Sequence, residues 1–98
     1  MVNIMNKTIK SVKIIISGHV QGVGFRYSTI QVAKHYNISG WVKNNLDGTV
    51  EIVASGQEDK LDSFINKIKS SPTPFARIYD VTINYISNYE QKGFNVKY

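Results

Sequence analysis

Residues 12–36 read VKIIISGHVQGVGFRYSTIQVAKHY, and two different periods meet inside this stretch. Val12, Ile14 and Ile16 alternate with Lys13, Ile15 and Ser17, the period of a strand buried strongly on one face, and the alternation stops at Gly18. From Phe25 the spacing changes: Phe25, Thr29, Val32, Ala33 and Tyr36 recur at helical intervals, with Arg26 in the first turn and Asn37 placed as a C-terminal cap. A loop with three glycines joins the two, so the stretch predicts a strand–loop–helix unit.

Working outward, residues 38–44 and 49–54 read as two strands with Asp47-Gly48 as turn chemistry between them, a hairpin. Leu61, Phe64, Ile65 and Ile68 then fall at i, i+3, i+4 and i+7, behind Glu58 and Asp59 and ahead of Lys67 and Lys69, and Pro72 and Pro74 stop that helix. Tyr79, Val81, Ile83 and Tyr85 alternate as a half-exposed strand, and Phe94, Val96 and Tyr98 alternate again. The order βαββαβ plus a short extra C-terminal strand predicts an α+β sandwich of the ferredoxin-like type. In it, two helices cover one face of a mainly antiparallel sheet. A right-handed first crossover makes strands 12–17 and 38–44 parallel, so the loop at 18–24 and the hairpin tip at 44–48 meet at one sheet edge. Ligands favour that edge.

The chain has 98 residues, 42% of them hydrophobic and 19% charged, which suits one packed domain and excludes a multi-domain enzyme or a disordered chain. We expect residues 1–10 to be a flexible leader and residues 11–98 the single domain. With no cysteine there is no disulfide, thiolate metal site or cysteine nucleophile. Near the N-terminus the apolar run 12–16 is five residues long and contains Lys13, so it reads as neither signal peptide nor membrane span. A cytoplasmic monomer is the expectation. Net charge is +5, but residues 1–46 carry six bases and no acid, while residues 47–98 carry six bases and seven acids. The half that attracts anions is the first. Scattered lysines also serve solubility alone.

In the loop Gly18-His19-Val20-Gln21-Gly22-Val23-Gly24-Phe25-Arg26, a strand runs into a helix N-terminus, where free N–H groups attract an anion. The glycines allow those amides to curl inward, and Arg26 adds a planar charged fork suited to two phosphate oxygens. The bland alternative is a turn beside a surface arginine. The P-loop pattern fails for lack of its lysine, and the dinucleotide fingerprint fails because Tyr27 occupies its last glycine position. Across the edge, Asn44 ends a strand; its carboxamide can hold a water, or Asn44 and Asn45 are simply turn residues.

Two segments together resemble the acylphosphatase family. Residues 18–26 fit its pattern G-x-V-Q-G-V-x-[FY]-R, and residues 40–50 fit G-[FYW]-[AVC]-[KRQAM]-N-x-x-x-G-x-V, followed by five residues and then Gly56. The resemblance covers about residues 11–98. It implies metal-free and cofactor-free hydrolysis of the carboxyl–phosphate bond of a small-molecule acyl phosphate, in a ferredoxin-like fold. It also implies roles: Arg26 and Asn44 as catalytic residues, binding phosphate and positioning water, and the amides of Gln21, Gly22, Val23, Gly24 and Phe25 as the phosphate cradle. Asn45 stands where some members have Thr, and Gly24 where some have a bulkier residue, so turnover rather than substrate class is where this chain would differ.

Other residues read as structural. His19 is an exposed bystander, His35 lies near helix-end carbonyls, Asp47 is turn chemistry, and Trp41 and Phe25 are core residues holding the loops. Two alternatives to catalysis remain: a non-catalytic acyl-phosphate or anion-binding domain, and an RNA-binding module of the same topology. Against the second, the strand at 49–54 has no aromatic residue on which bases would stack, so no nucleic-acid partner is expected, and no membrane partner either.

Overall fold

In the computed structural model, which describes residues 8–98, the alternation over residues 12–17 is the middle of a longer strand, β1 (Ile9–His19). Residues 1–7 of the expected leader lie outside the described residues. Within the described residues, Ile9 and Lys10 already belong to β1 and pair with Gln57 and Gly56. Then come α1 (Phe25–Tyr36), β2 (Ser39–Asn44), β3 (Val50–Gln57), α2 (Glu58–Lys69), β4 (Arg77–Ile86) and β5 (Phe94–Val96).

The sheet order is β4-β1-β3-β2-β5, antiparallel except where β5 runs parallel to β2. This is the βαββαβ α+β sandwich that the element order predicts, with both helices on one face. One face of β1, Val12, Ile14 and Ile16, is sealed against Val42 of β2 and Val50, Ile52 and Ala54 of β3. Above them lie Phe25 and Ala33 of α1 and Leu61, Phe64, Ile65 and Ile68 of α2. Truncating such a fully buried ring, Phe64→Ala for example, costs about 3–5 kcal/mol. Thr29, fully buried on α1, is tolerated because its hydroxyl donates to the Phe25 carbonyl at 2.8 Å. Acids in the first turn of α2 and bases in its last complement the helix dipole.

Further departures from the sequence expectation have physical causes. Strand β3 runs on through Ser55-Gly56, because Ser55 pairs with both Ser11 and Ser39. Strand β4 carries an irregularity where its register against β1 shifts at Ser17/Gly18, so the alternation 79, 81, 83, 85 is broken. Tyr79 is therefore turned to solvent and Ile78 packs on the core instead. Strand β5 ends at Val96, leaving Tyr98 beyond it, although the Lys97 N–H still donates to the Val42 carbonyl at 2.9 Å. Among the described residues, no helix is long and apolar enough to cross a membrane.

Candidate active site

Strands β1 and β2 are both antiparallel to β3, which lies between them, so they are parallel to each other and end at the same edge of the sheet. The loop leaving β1 and the hairpin tip leaving β2 meet there. Gln21 makes the join: its side-chain amide donates to the carbonyls of Asn45 at 2.8 Å and Thr49 at 2.9 Å. Its side chain thus ties the loop to the hairpin tip, a role that the one-dimensional pattern did not disclose. Val20, 1% exposed, pins the loop into the core, and Phe25, equally buried, does so where α1 begins.

Between these anchors the backbone reverses hand twice. Gly22 has φ +75° and Gly24 φ +80°, while Val23 between them has an ordinary negative φ. Such alternation turns successive N–H groups toward one side. A Cβ on Gly22 or Gly24 would meet open space, so the torsion rather than crowding asks for glycine. The first helical bond of α1 is Ser28 N–H to the Gly24 carbonyl at 3.0 Å, so the amides of Phe25, Arg26 and Tyr27 have no acceptor inside the helix. They add to the positive end of its dipole.

The Arg26 side chain is half-buried in the same region, with Cζ 5.9 Å from the centroid of the Tyr98 ring. Among the described residues the ion pair is Lys13–Glu51 at 3.6 Å, and Arg26 takes part in none. Asn44, the last residue of β2, completes the group. Its Oδ1 is buried and, among the described residues, is the one buried side-chain oxygen or nitrogen with no hydrogen-bond partner. Gly22, Gly24, Phe25, Arg26 and Asn44 line one depression of about 250 Å³, closed by Val20, Tyr27, Ile30, Val96 and Tyr98.

The two asparagines separate cleanly. Asn45 is a turn residue, its Nδ2 donating to Thr49 Oγ1 at 3.0 Å and its N–H to the Thr49 carbonyl at 2.9 Å. Asn44 faces the depression. Asp47 caps the turn, accepting from Thr49 N–H at 3.0 Å and Thr49 Oγ1 at 2.7 Å. These two bonds, the hydroxyl's first, hold its carboxyl below the usual carboxylate range. His19 and His35 are exposed and line no part of the depression. Among the described residues, no three His, Cys, Asp or Glu side chains are grouped to hold a metal ion. Sequence reasoning missed Val96 and Tyr98, whose place beside Asn44 depends on the parallel pairing of β5 with β2.

Comparison with known proteins gives the family. The acylphosphatase family model matches residues 12–96. An acylphosphatase of Pediococcus pentosaceus is 47% identical over 90 residues, 92% of this chain and 100% of the relative. The crystal structure of acylphosphatase from Bacillus subtilis superposes with a TM-score of 0.86 at 38% identity, over 93% of this chain and 100% of that one. A full-length HypF in a phosphate- and nucleotide-bound form gives a TM-score of 0.87 at 33% identity over 93% of this chain, but only 12% of HypF is covered. With fold, both motifs and whole-length relatives in agreement, the chain belongs to the acylphosphatase family.

Proposed function

We propose that the depression between the loop and the hairpin tip is where this acylphosphatase cleaves its substrate, by in-line attack of a water held at Asn44 on a phosphoryl group held by Arg26 and the loop. As a member of its family the chain hydrolyses acyl phosphates to a carboxylate and inorganic phosphate. The observation that carries the assignment of residues is the convergence on one depression of an arginine outside any ion pair, a loop whose backbone reverses hand at Gly22 and Gly24, and a buried Asn44 Oδ1 without a partner among the described residues.

Chemistry makes so spare a site sufficient. The leaving group is a carboxylate, stable without protonation, so no general acid is needed. Phosphoryl transfer through a loose transition state asks little of its nucleophile and much of the groups that neutralise the equatorial oxygens. The amides of residues 21–25 and the Arg26 fork supply that neutralisation in place, with no reorganisation during the reaction. Asn44 Oδ1 accepts one O–H of the attacking water and directs its lone pair at phosphorus, replacing a bimolecular encounter by a positioned one. As the P–O bond to water forms and the bond to the acyl oxygen breaks, the water's other proton passes to a phosphoryl oxygen. No metal takes part in this scheme.

The reading extends to a cytoplasmic monomer acting on a free small molecule rather than on nucleic acid. Its test is benzoyl phosphate hydrolysis in EDTA by wild type, Arg26→Ala and Asn44→Ala. Turnover that survives the chelator in wild type and collapses in both variants is the expected result. A strict Mg²⁺ requirement overturns the metal-free scheme. Absence of turnover with phosphate still bound would make the chain an anion-binding domain.

A further inference from the structure

The turn between α2 and β4, read from the sequence only as a helix stop at Pro72 and Pro74, reaches across to the anion loop. Thr73 in that turn is 5% exposed, and its hydroxyl donates to the Val23 carbonyl at 3.4 Å. The same oxygen accepts the Phe75 N–H at 3.4 Å, so its proton is directed away from its own turn. The turn itself is fixed: Ser71 lies at φ +72°, its N–H donates to the Ile68 carbonyl at 3.0 Å and its hydroxyl to the Thr73 carbonyl at 2.6 Å. Thr73 is thus held by the end of α2 rather than by the loop it touches.

Peptide geometry gives the contact its meaning. No peptide bond is cis among the described residues, so the Val23 carbonyl and the Gly24 N–H point in opposite directions across one planar unit. A donor that holds the carbonyl on the outer side of the loop therefore aims the N–H inward. Gly22 and Gly24 line the depression, whereas Val23 packs against the core. Gly24 is free to change φ, so the 23–24 peptide can flip by a compensating change in ψ of Val23, and a flip would present a carbonyl oxygen to the phosphoryl group.

We propose that Thr73 is a positioning residue of the anion site: by donating to the Val23 carbonyl it fixes the 23–24 peptide so that the Gly24 amide faces the phosphoryl group. This rests on the loop being the phosphoryl site, as proposed above. Donation to the carbonyl also polarises the peptide and strengthens its N–H as a donor.

The experiment compares wild type with Thr73→Val, which keeps the shape and loses the hydroxyl, and Thr73→Ser, which keeps the hydroxyl. The readouts are the inhibition constant of inorganic phosphate, KM and kcat for benzoyl phosphate, and the Gly24 amide NMR signal during phosphate titration. Thr73→Val should weaken phosphate binding roughly three- to tenfold, and Thr73→Ser should stay within about twofold of wild type. In Thr73→Val the Gly24 amide should respond less to phosphate. An unchanged phosphate constant in Thr73→Val, or Thr73→Ser as weak as Thr73→Val, overturns the proposal while leaving the site reading intact. If phosphate does not move the Gly24 amide in wild type, both fall. In wild type alone, a Thr73 hydroxyl proton in slow exchange supports the tether, and one in fast exchange overturns it, whether or not Thr73→Val folds.

Discussion

The two ends of the sheet are both laced by side chains reaching to backbone, yet they are finished differently. At the end remote from the depression the Tyr89 N–H donates to Ser11 Oγ at 2.9 Å, Ser11 Oγ lies 2.5 Å from Ser55 Oγ, and Ser55 donates to the Tyr89 carbonyl at 2.8 Å. With Ser55 donating to the carbonyl, Ser11 is the donor between the two hydroxyls, and the ring closes. Tyr89 further donates to Gln91 Oε1 at 2.7 Å, and Gln91 Nε2 to the Gly40 carbonyl at 2.5 Å. At the other end, Gln21 closes its bonds to Asn45 and Thr49, but Asn44 Oδ1 accepts from no protein group among the described residues. Burying a polar atom in that state costs about 1–3 kcal/mol. The closed ring holds its strands together, whereas the open valence leaves a buried acceptor at a stability cost, as the water-holding role proposed for Asn44 requires.

The largest expected effect is at the open end. Arg26→Ala should lower kcat/KM by about 10³–10⁵, with a urea midpoint close to wild type; parallel loss of stability would make Arg26 a structural residue and erase the contrast. Next, Asn44→Ala should slow turnover on the order of 10²-fold, while its folding free energy stays level or rises by up to ~1 kcal/mol as the unpaired oxygen is removed. A less stable Asn44→Ala would show that the oxygen is satisfied in the free protein.

At the closed end the pattern should invert. Ser55→Ala should cost about 1–3 kcal/mol in urea unfolding by orphaning its partners in the ring, with kcat within about twofold of wild type. Loss of activity comparable to that in Asn44→Ala would dissolve the division of labour. The smallest effect belongs to Asp47→Asn: benzoyl phosphate turnover at pH 7 should be unchanged within about twofold. Because Thr49 lowers the folded pKa of Asp47, its contribution to the turn is complete above the ordinary carboxylate pKa and lost as pH falls through the lowered value. A melting curve followed into acid should therefore converge on that of Asp47→Asn.

Legibility in the sequence tracks the range of the interactions concerned. The periods of β1, α1, β3 and α2 come from neighbours two to four residues apart, and so do the turn residues at 45–49, so these elements stand close to where they were expected. The crossover rule alone brings the loop and hairpin tip together. The bulge that turns Tyr79 outward was hidden, since one extra residue in a strand leaves no mark on an alternating pattern until the partner strand is known. Gln21 looked like one more residue of the cradle, although its side chain reaches the hairpin tip. Thr73, Val96 and Tyr98 were invisible as site neighbours because each depends on a contact between distant parts of the chain.

The sheet order also sets a timetable for folding. Among the described residues β1 is the first strand made, and Ile14 at its middle pairs with Ile52 on one side and Ile83 on the other. A growing chain thus carries the strand of Val12, Ile14 and Ile16, all fully buried in the folded protein, without either partner until β3 appears, and with one edge open until β4 is complete. Loop closure over such spans must precede the contacts that reward it, placing folding toward the slower range of small domains. Through that interval Val12, Ile14 and Ile16 form an unpaired apolar edge, the kind of segment through which chains associate wrongly. Lys13, set between them on the opposite face, is the charge that interrupts the run during those moments.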